Sequence, residues 1–280
     1  MKNYFSEQQI DKYLKNGVNE VDGWLSIADK FLIWSLCNIQ NAYEYSGSLG
    51  EIGVHHGKLF LLLLLNLQKG EKAFCVDVFD MQDLNIDKSG KGNEQIFLSN
   101  VDKFANRNMV HIIKDSSLNV NCSQIIEKVG KARLISIDGG HTSEITKNDL
   151  NLCEKILTDE GVIVIDDYFN AAWPGVSEGV CSYLQEYGDR LAPFAIGINK
   201  VFLCRPDLHS NYREKLKNSA REMYDWSKES FGKEVDVYNG YDSIKFAVGN
   251  SKFYLINPII RWGGRVHFKF LNFISNQLRF

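Results

Sequence analysis

Residues 47–65, GSLGEIGVHHGKLFLLLLL, pass from spaced glycines directly into five consecutive leucines. A short apolar run bounded by glycine suits a strand, and the leucine run behind it suits the buried face of a helix. Between the two, Gly53 and Gly57 let the backbone come close to a ligand. The stretch therefore reads as the first strand–turn–helix of an α/β sheet. Open sheets of that kind bind ligands outside the carboxyl ends of their strands.

The chain downstream repeats this rhythm. Short runs rich in valine and isoleucine occur at SLGEIGV (48–54), KAFCVDVF (72–79), MVHIIKD (109–115), ARLISID (132–138) and GVIVIDD (161–167). Helix-length segments separate them at 57–69, 94–106, 120–129 and 143–157. Alternation with connections this long predicts a doubly wound, mostly parallel sheet with right-handed crossovers. After 168 the pattern loosens into a helix (175–190) and two strands around Gly197-Ile198-Asn199. Upstream, Trp24, Leu25, Ala28, Phe31, Leu32 and Leu36 fall near helical spacing. The expected organisation is an N-terminal helical segment (1–45), a ligand-binding α/β domain (46–206) and a C-terminal appendage (207–280). In the appendage, 207–232 read as helical and KFAVGNSKFYLI (245–256) as a strand pair.

Composition narrows the function classes. The chain has 280 residues, 44% hydrophobic and 24% charged, with a net charge of −3, so no overall basic field recruits nucleic acid. Its longest apolar run, Leu59–Leu65, is far short of the roughly 20 residues that span a bilayer. MKNYFSEQQIDKYLKNG shows no apolar targeting core, and six scattered cysteines form no metal spacing, which points to a reducing cytoplasm. The expected partner is a small-molecule substrate, with a homo-oligomer left open. RWGGRVHFKFLNFISNQLRF (261–280) carries Arg261, Arg265, Lys269 and Arg279 without an acid. It reads as a subunit contact or pocket edge in preference to a membrane-surface helix.

The glycine turn matches no phosphate cradle. A dinucleotide fingerprint needs glycine at 55 and 58, where His55 and Lys58 stand, and a P-loop needs Ser or Thr where Leu59 stands. The ligand is then a nucleoside lacking a pyrophosphate. Asp77 ends the second run, about 20 residues past the turn, where a carboxylate accepts hydrogen bonds from a ribose diol; Asp80 is the alternative. Asp115-Ser116, ending the third run, can read an adenine edge. His55 and His56 either contact the cofactor or cover the sheet end.

The chemistry concentrates in ISIDGGHTSE (135–144) and VIVIDDYFNAAWPGV (162–176). Asp138 ends the fourth run and Asp166-Asp167 the fifth, so neighbouring strands bring three carboxylates into one crevice. Such acids repel unless protonated or neutralised by a cation, and an oxygen-only set suits Mg²⁺. His141 follows Asp138 by three residues on the Gly139-Gly140 turn and can face the same cleft. Trp173 and Tyr168 either stack on a substrate ring or shape the loop.

Over roughly residues 45–206 the chain resembles the class I S-adenosylmethionine-dependent methyltransferases. The resemblance implies a Rossmann-like, seven-stranded sheet. It implies that Gly53 and Gly57 line the methionine moiety, that Glu51 heads that motif, and that Asp77 binds the ribose. The D-G-x-H and D-D settings are similar to those of metal-dependent O-methyltransferases acting on sugars in macrolide and aminocoumarin biosynthesis. Carried over by motif position, Asp138, Asp166 and Asp167 would hold Mg²⁺, and Asp138 with His141 would be catalytic, His141 as general base. The acceptor implied is a hydroxyl of a sugar, glycoside or other diol-bearing molecule. A cephalosporin-hydroxylase-like enzyme, or a non-catalytic binding or assembly protein of the same fold, are the alternatives. The short helical N-terminal region has no match to the substrate lid of the antibiotic enzymes.

Overall fold

The strand expected at the glycine turn is β1 (Ser48–Ile52), buried at every position on both faces. It lies in the middle of the sheet between β2 (Ala73–Asp77) and β4 (Ala132–Ile137), parallel to both. β3 (Val110–Lys114) flanks β2, and β5 (Leu157–Ile165) flanks β4, again in parallel. β6 (Ala192–Ile196) and β7 (Val201–Cys204) form a hairpin, and β7 enters the sheet antiparallel to β5. The order is β3-β2-β1-β4-β5-β7-β6, a Rossmann-like, mostly parallel sheet of seven strands. A short eighth strand, Ile244–Lys245, adds to the β6 edge in parallel. In this computed structural model the described residues are 3–221, 223, 225, 237–238 and 241–246.

The N-terminal segment expected to be helical (1–45) is broken into several pieces. α1 (Glu7–Lys12) continues through a π turn (Tyr13–Gly17) into α2 (Val18–Glu20), and α3 (Ile27–Ala42) begins only after Ser26 caps it. Residues 21–26 between them carry Trp24, which is three-quarters exposed rather than on a core face. α4 (Lys58–Leu65) is apolar all round and correspondingly buried all round, wedged between the sheet and the N-terminal helices. α5 (Glu94–Phe104), α6 (Cys122–Val129), α7 (Ser143–Ile156) and α8 (Pro174–Glu186) are the remaining crossover helices. β5 begins at Leu157, four residues earlier than the periodicity suggests, because α7 hands over to it with no loop. A register shift between Ala132 and Leu134 absorbs the early start.

α9 (His209–Ser219) packs on α3 and β6, with Tyr212 fully buried and donating to the Glu160 carbonyl at 2.5 Å. The described residues after 206 therefore pack with the sheet. Of the strand pair read over 245–256, only Lys245 and Phe246 fall among the described residues, as does none of 261–280. At the amino ends of the strands, fully buried Arg133 is held by Glu71 (2.9 Å), Gln40 (2.9 Å) and the Asn66 carbonyl (3.0 Å). This charge is compensated far from the carboxyl edge, where the site lies.

Under the site, α7 carries Asp149, fully buried. Burial pushes its carboxyl up to about 7, outweighing hydrogen bonds from Ser117 and Asn148. A folded-state carboxyl with raised affinity keeps its proton while the unfolded chain loses it, so stability falls as pH rises from about 4 to about 7. Asp149→Asn should flatten that decline and be more stable than wild type at pH 8, by up to a few kcal/mol at about 1.36 kcal/mol per tenfold change in proton affinity. Urea unfolding of both proteins at pH 5 and pH 8 measures it; parallel pH dependences would refute it.

Candidate active site

The sheet ladder runs to the edge of the site and sets its geometry. Gly53 N–H donates to the Val76 carbonyl (2.8 Å), Asp138 N–H to Ile52 (2.8 Å) and Asp166 N–H to Ile137 (2.9 Å). The ends of β1, β2, β4 and β5 are thereby locked side by side over a cleft of about 500 Å³. Gly53, Asp77, Asp115, Ser116, Asp138 and His141 are in its wall, as are Asp166 and Asp167.

Gly53 has φ +82°, and a Cβ there would lie 1.8 Å from the Asp138 carbonyl oxygen. Glycine is required because the β1 turn and the β4 end pass at backbone contact, which holds the Asp77 side of the cleft against the Asp138 side. Gly57 does a different job. It starts α4 in the left-handed region at φ +91°, with the Phe97 ring 3.0 Å from where its Cβ would be, and it is outside the cleft wall. Glu51 is likewise set behind the wall, buried, its carboxyl pushed well up by burial.

Asp77 meets what a ribose ligand requires. One oxygen accepts from His55 N–H (2.8 Å) and the other from Phe79 N–H (2.6 Å), which orients the carboxylate and leaves lone pairs for hydroxyl donors. Burial raises its pKa, and these donors oppose the rise. Asp80, the alternative, is turned away onto Lys114 at 2.8 Å and is not in the wall. Asp115 accepts from Ser116 N–H (2.7 Å) and Asn119 (2.8 Å), fixing the turn at the end of β3. The polar wall beside Gly53 and Asp77 fits a nucleoside.

Across the cleft, Asp138, His141 and Asp167 each offer a ligand atom, all within 4.8 Å of one another. That donor set, two carboxylates and an imidazole, suits a divalent ion. Asp138 is held well above the usual carboxylate range by burial first and then by the Asp166 charge, with Lys200 opposing. Asp166 departs from the three-acid reading. It is ion-paired to Lys200, whose ammonium is almost fully buried on the β6–β7 turn. Burial disfavours that charge, but Asp166, Asp138 and Asp29 keep Lys200 protonated above its ordinary range. An internal cation thus neutralises one of the three strand-end acids.

His141 is held on three sides. Its Nδ1 meets Asp87 at 2.8 Å, its Nε2 meets Asp167 at 2.9 Å, and Trp173 stacks on the ring at 4.3 Å. Burial disfavours the imidazolium, yet the two carboxylates lift the pKa to about 9, above the near-neutral value expected of an isolated histidine. Asp87, despite burial, drops to about 2 through donors from Ser89 and His141. Asp167 has φ +57°, a left-handed conformation that aspartate tolerates better than most, and is fixed by Asn170 (2.9 Å) and Asn199 (2.6 Å). Trp173 resolves to a shelf for His141, while Tyr168 is buried beneath the loop, outside the wall.

Lys200, Asp87, Asn199 and Asp29 escaped the sequence reading. Asp87 sits in the polar loop DLNIDKSGKG and Lys200 in GINK, short polar stretches with no motif spacing. Nothing local signals that Lys200 meets an acid 34 positions upstream.

Residues 51–168 match the family model for a methyltransferase domain. No curated protein matches the chain in sequence. Among solved structures, the O-methyltransferase NovP superposes with a TM-score of 0.58 at 15% identity, covering 71% of this chain and 97% of NovP. Apo CalS11, a TDP-rhamnose 3'-O-methyltransferase of calicheamicin biosynthesis, gives 0.49 at 14% identity, over 72% of this chain and 89% of that one. MycE, a methyltransferase of the mycinamycin pathway in complex with Mg, SAH and mycinamycin VI, gives 0.48 at 14%, over 72% of this chain and 55% of that one. The fold is that of the class I S-adenosylmethionine-dependent methyltransferases. Residues 51–168, which match the methyltransferase-domain model, are the core of that fold.

Proposed function

We propose that the protein transfers the methyl group of S-adenosylmethionine to a hydroxyl of a small diol-bearing acceptor, a sugar or glycoside being the class that fits, with a bound divalent ion of the Mg²⁺ type. The observation that carries this is the meeting, in one cleft, of the Asp77 carboxylate with the Asp138–His141–Asp167 cluster. S-adenosylmethionine when bound supplies the electrophilic methyl group, and the ion when bound supplies Lewis acidity toward an acceptor oxygen.

The chain's own groups do the rest. Asp77 accepts from the ribose hydroxyls, and Asp115-Ser116 face the adenine edge. Asp138 and Asp167 are the carboxylates available to the ion, and Asp166 keeps Lys200 in place beside them. Asp87 takes the Nδ1 hydrogen of His141 and Trp173 fixes the ring plane, so Nε2 is the atom that receives the acceptor's proton. With its pKa lifted to about 9 the ring rests as the imidazolium, so the Nε2 proton shared with Asp167 is first given up to solvent, and the acceptor hydroxyl then replaces Asp167 as the partner of the freed Nε2. The loop containing Gln82, Leu84 and Asn85 lines the mouth and limits water around the reacting groups. Six free cysteines accord with a reducing compartment.

Titration calorimetry with S-adenosylhomocysteine tests the cofactor half. Wild type should bind, and Asp77→Ala should bind at least ~10-fold more weakly, because charge-assisted hydrogen bonds are worth about 1.5–3 kcal/mol. Absence of binding by wild type would overturn the enzyme reading. Product mass separates it from a hydroxylase, since methylation adds a methyl group and hydroxylation an oxygen.

A further inference from the structure

A second group of metal-type donors lies on the other side of the glycine turn. Asp22, in the segment joining α2 to α3, approaches His55 and His56, which follow β1. The Asp22 carboxylate is 3.6 Å from His56 Nδ1, and one donor atom from each of the three residues falls within 4.8 Å of the others. His56 is 8% exposed, yet neither of its ring nitrogens has a hydrogen-bond partner among the described residues, and His55 Nδ1 has none either. Three buried, unpaired imidazole nitrogens are costly, at about 1–3 kcal/mol for each polar group left unsatisfied.

The surroundings hold these rings where they are. The two imidazoles face each other with centroids 3.8 Å apart, and Trp24 covers His55 at 5.4 Å. His55 sits at φ +50°, a conformation a histidine takes only at some cost. The nearest ammonium, Lys58 Nζ, is occupied by the Gly23 carbonyl at 2.6 Å.

We propose that Asp22, His55 and His56 form a binding site for a borderline divalent transition ion of the Zn²⁺ class, separate from the Asp138–His141–Asp167 cluster. Two imidazoles and one carboxylate select such an ion over Mg²⁺, which prefers oxygen ligands. Tetrahedral donors about 2.0–2.2 Å from a zinc ion lie roughly 3.4 Å apart, near the 3.6 Å separation of Asp22 and His56. Three protein ligands leave one position for water or an incoming oxygen or nitrogen donor. His55 and Trp24 both line the cleft, so the site borders it. The ion would clamp the 21–26 segment to the cofactor turn and offer a second anchor for the small-molecule acceptor.

The test uses the full-length protein, stripped with chelator and titrated with Co²⁺ as a spectroscopic stand-in. Wild type should develop visible ligand-field bands of a low-symmetry, nitrogen-containing site and be displaced by Zn²⁺ at one equivalent. Asp22→Ala, at an exposed position that tolerates truncation, should weaken Co²⁺ binding at this site at least 10-fold, and His56→Gln should do the same. Asp167→Asn should leave these bands intact. Bands unchanged in Asp22→Ala, or lost in Asp167→Asn, would place the ion elsewhere and overturn the proposal. Should His56→Gln fail to fold, the Asp22 variant decides.

Discussion

His141→Gln should lower kcat for methyl transfer by about 10²–10⁴-fold while leaving the affinity for S-adenosylhomocysteine within about twofold of wild type. The argument is positional. His141 is held by Asp87, Asp167 and Trp173, whereas Asp77 is held by His55 and Phe79 N–H groups. Glutamine can still donate to one of the two carboxylates but cannot take up a proton. The measurement pairs single-turnover transfer of a labelled methyl group to a glycoside found by screening with calorimetry for the cofactor product. Equal loss of both would mean that His141 supports the cleft and is not its base. Unchanged turnover would remove it from the chemistry.

Gly53→Ala should be the most damaging single added methyl group among the described glycines. Its Cβ would sit 1.8 Å from a backbone oxygen, that of Asp138, and 2.4 Å from the carbonyl carbon. Backbone cannot swing aside as a flexible side chain can, so either β1 or the β4 end must move. The left-handed φ adds about 1–2 kcal/mol, and overpacking typically costs a further 1–3 kcal/mol, giving a total of roughly 2–5 kcal/mol. Because Asp138 lies at the collision, cofactor binding and methyl transfer should fall together, unlike the split expected for His141. Denaturant unfolding with calorimetry checks both, and near-wild-type stability would show that the turn has room.

Much of the architecture was legible along the chain, and for a clear reason. Strands buried on both faces read as short valine- and isoleucine-rich runs, and β1 through β4 stand within a few residues of where those runs lie. The acids that end them were legible too, because in a parallel sheet every strand delivers its last residue to the same edge. Asp77, Asp138 and Asp167 therefore share one cleft, as their positions implied. Where the local pattern was silent, a distant contact set the role. Gly57 has the spacing of a cofactor glycine but starts a helix against Phe97, and the leucine run after it is explained by burial on every side.

The strand periodicity, the mismatch of the glycine turn to any phosphate cradle and the acids at the strand ends were enough to establish the sheet and to point to a pyrophosphate-free nucleoside beside a carboxylate crevice. Tertiary structure alone decided how those carboxylates are used. Lys200 crosses from the β6–β7 turn to claim Asp166, and Asp87 reaches from a polar loop to share His141 with Asp167. The same holds for the approach of Asp22 to His55 and His56. Periodicity records which face of an element is buried; it carries no information about which charge from elsewhere in the chain will be desolvated against it. That pairing is settled only when the elements pack and water leaves.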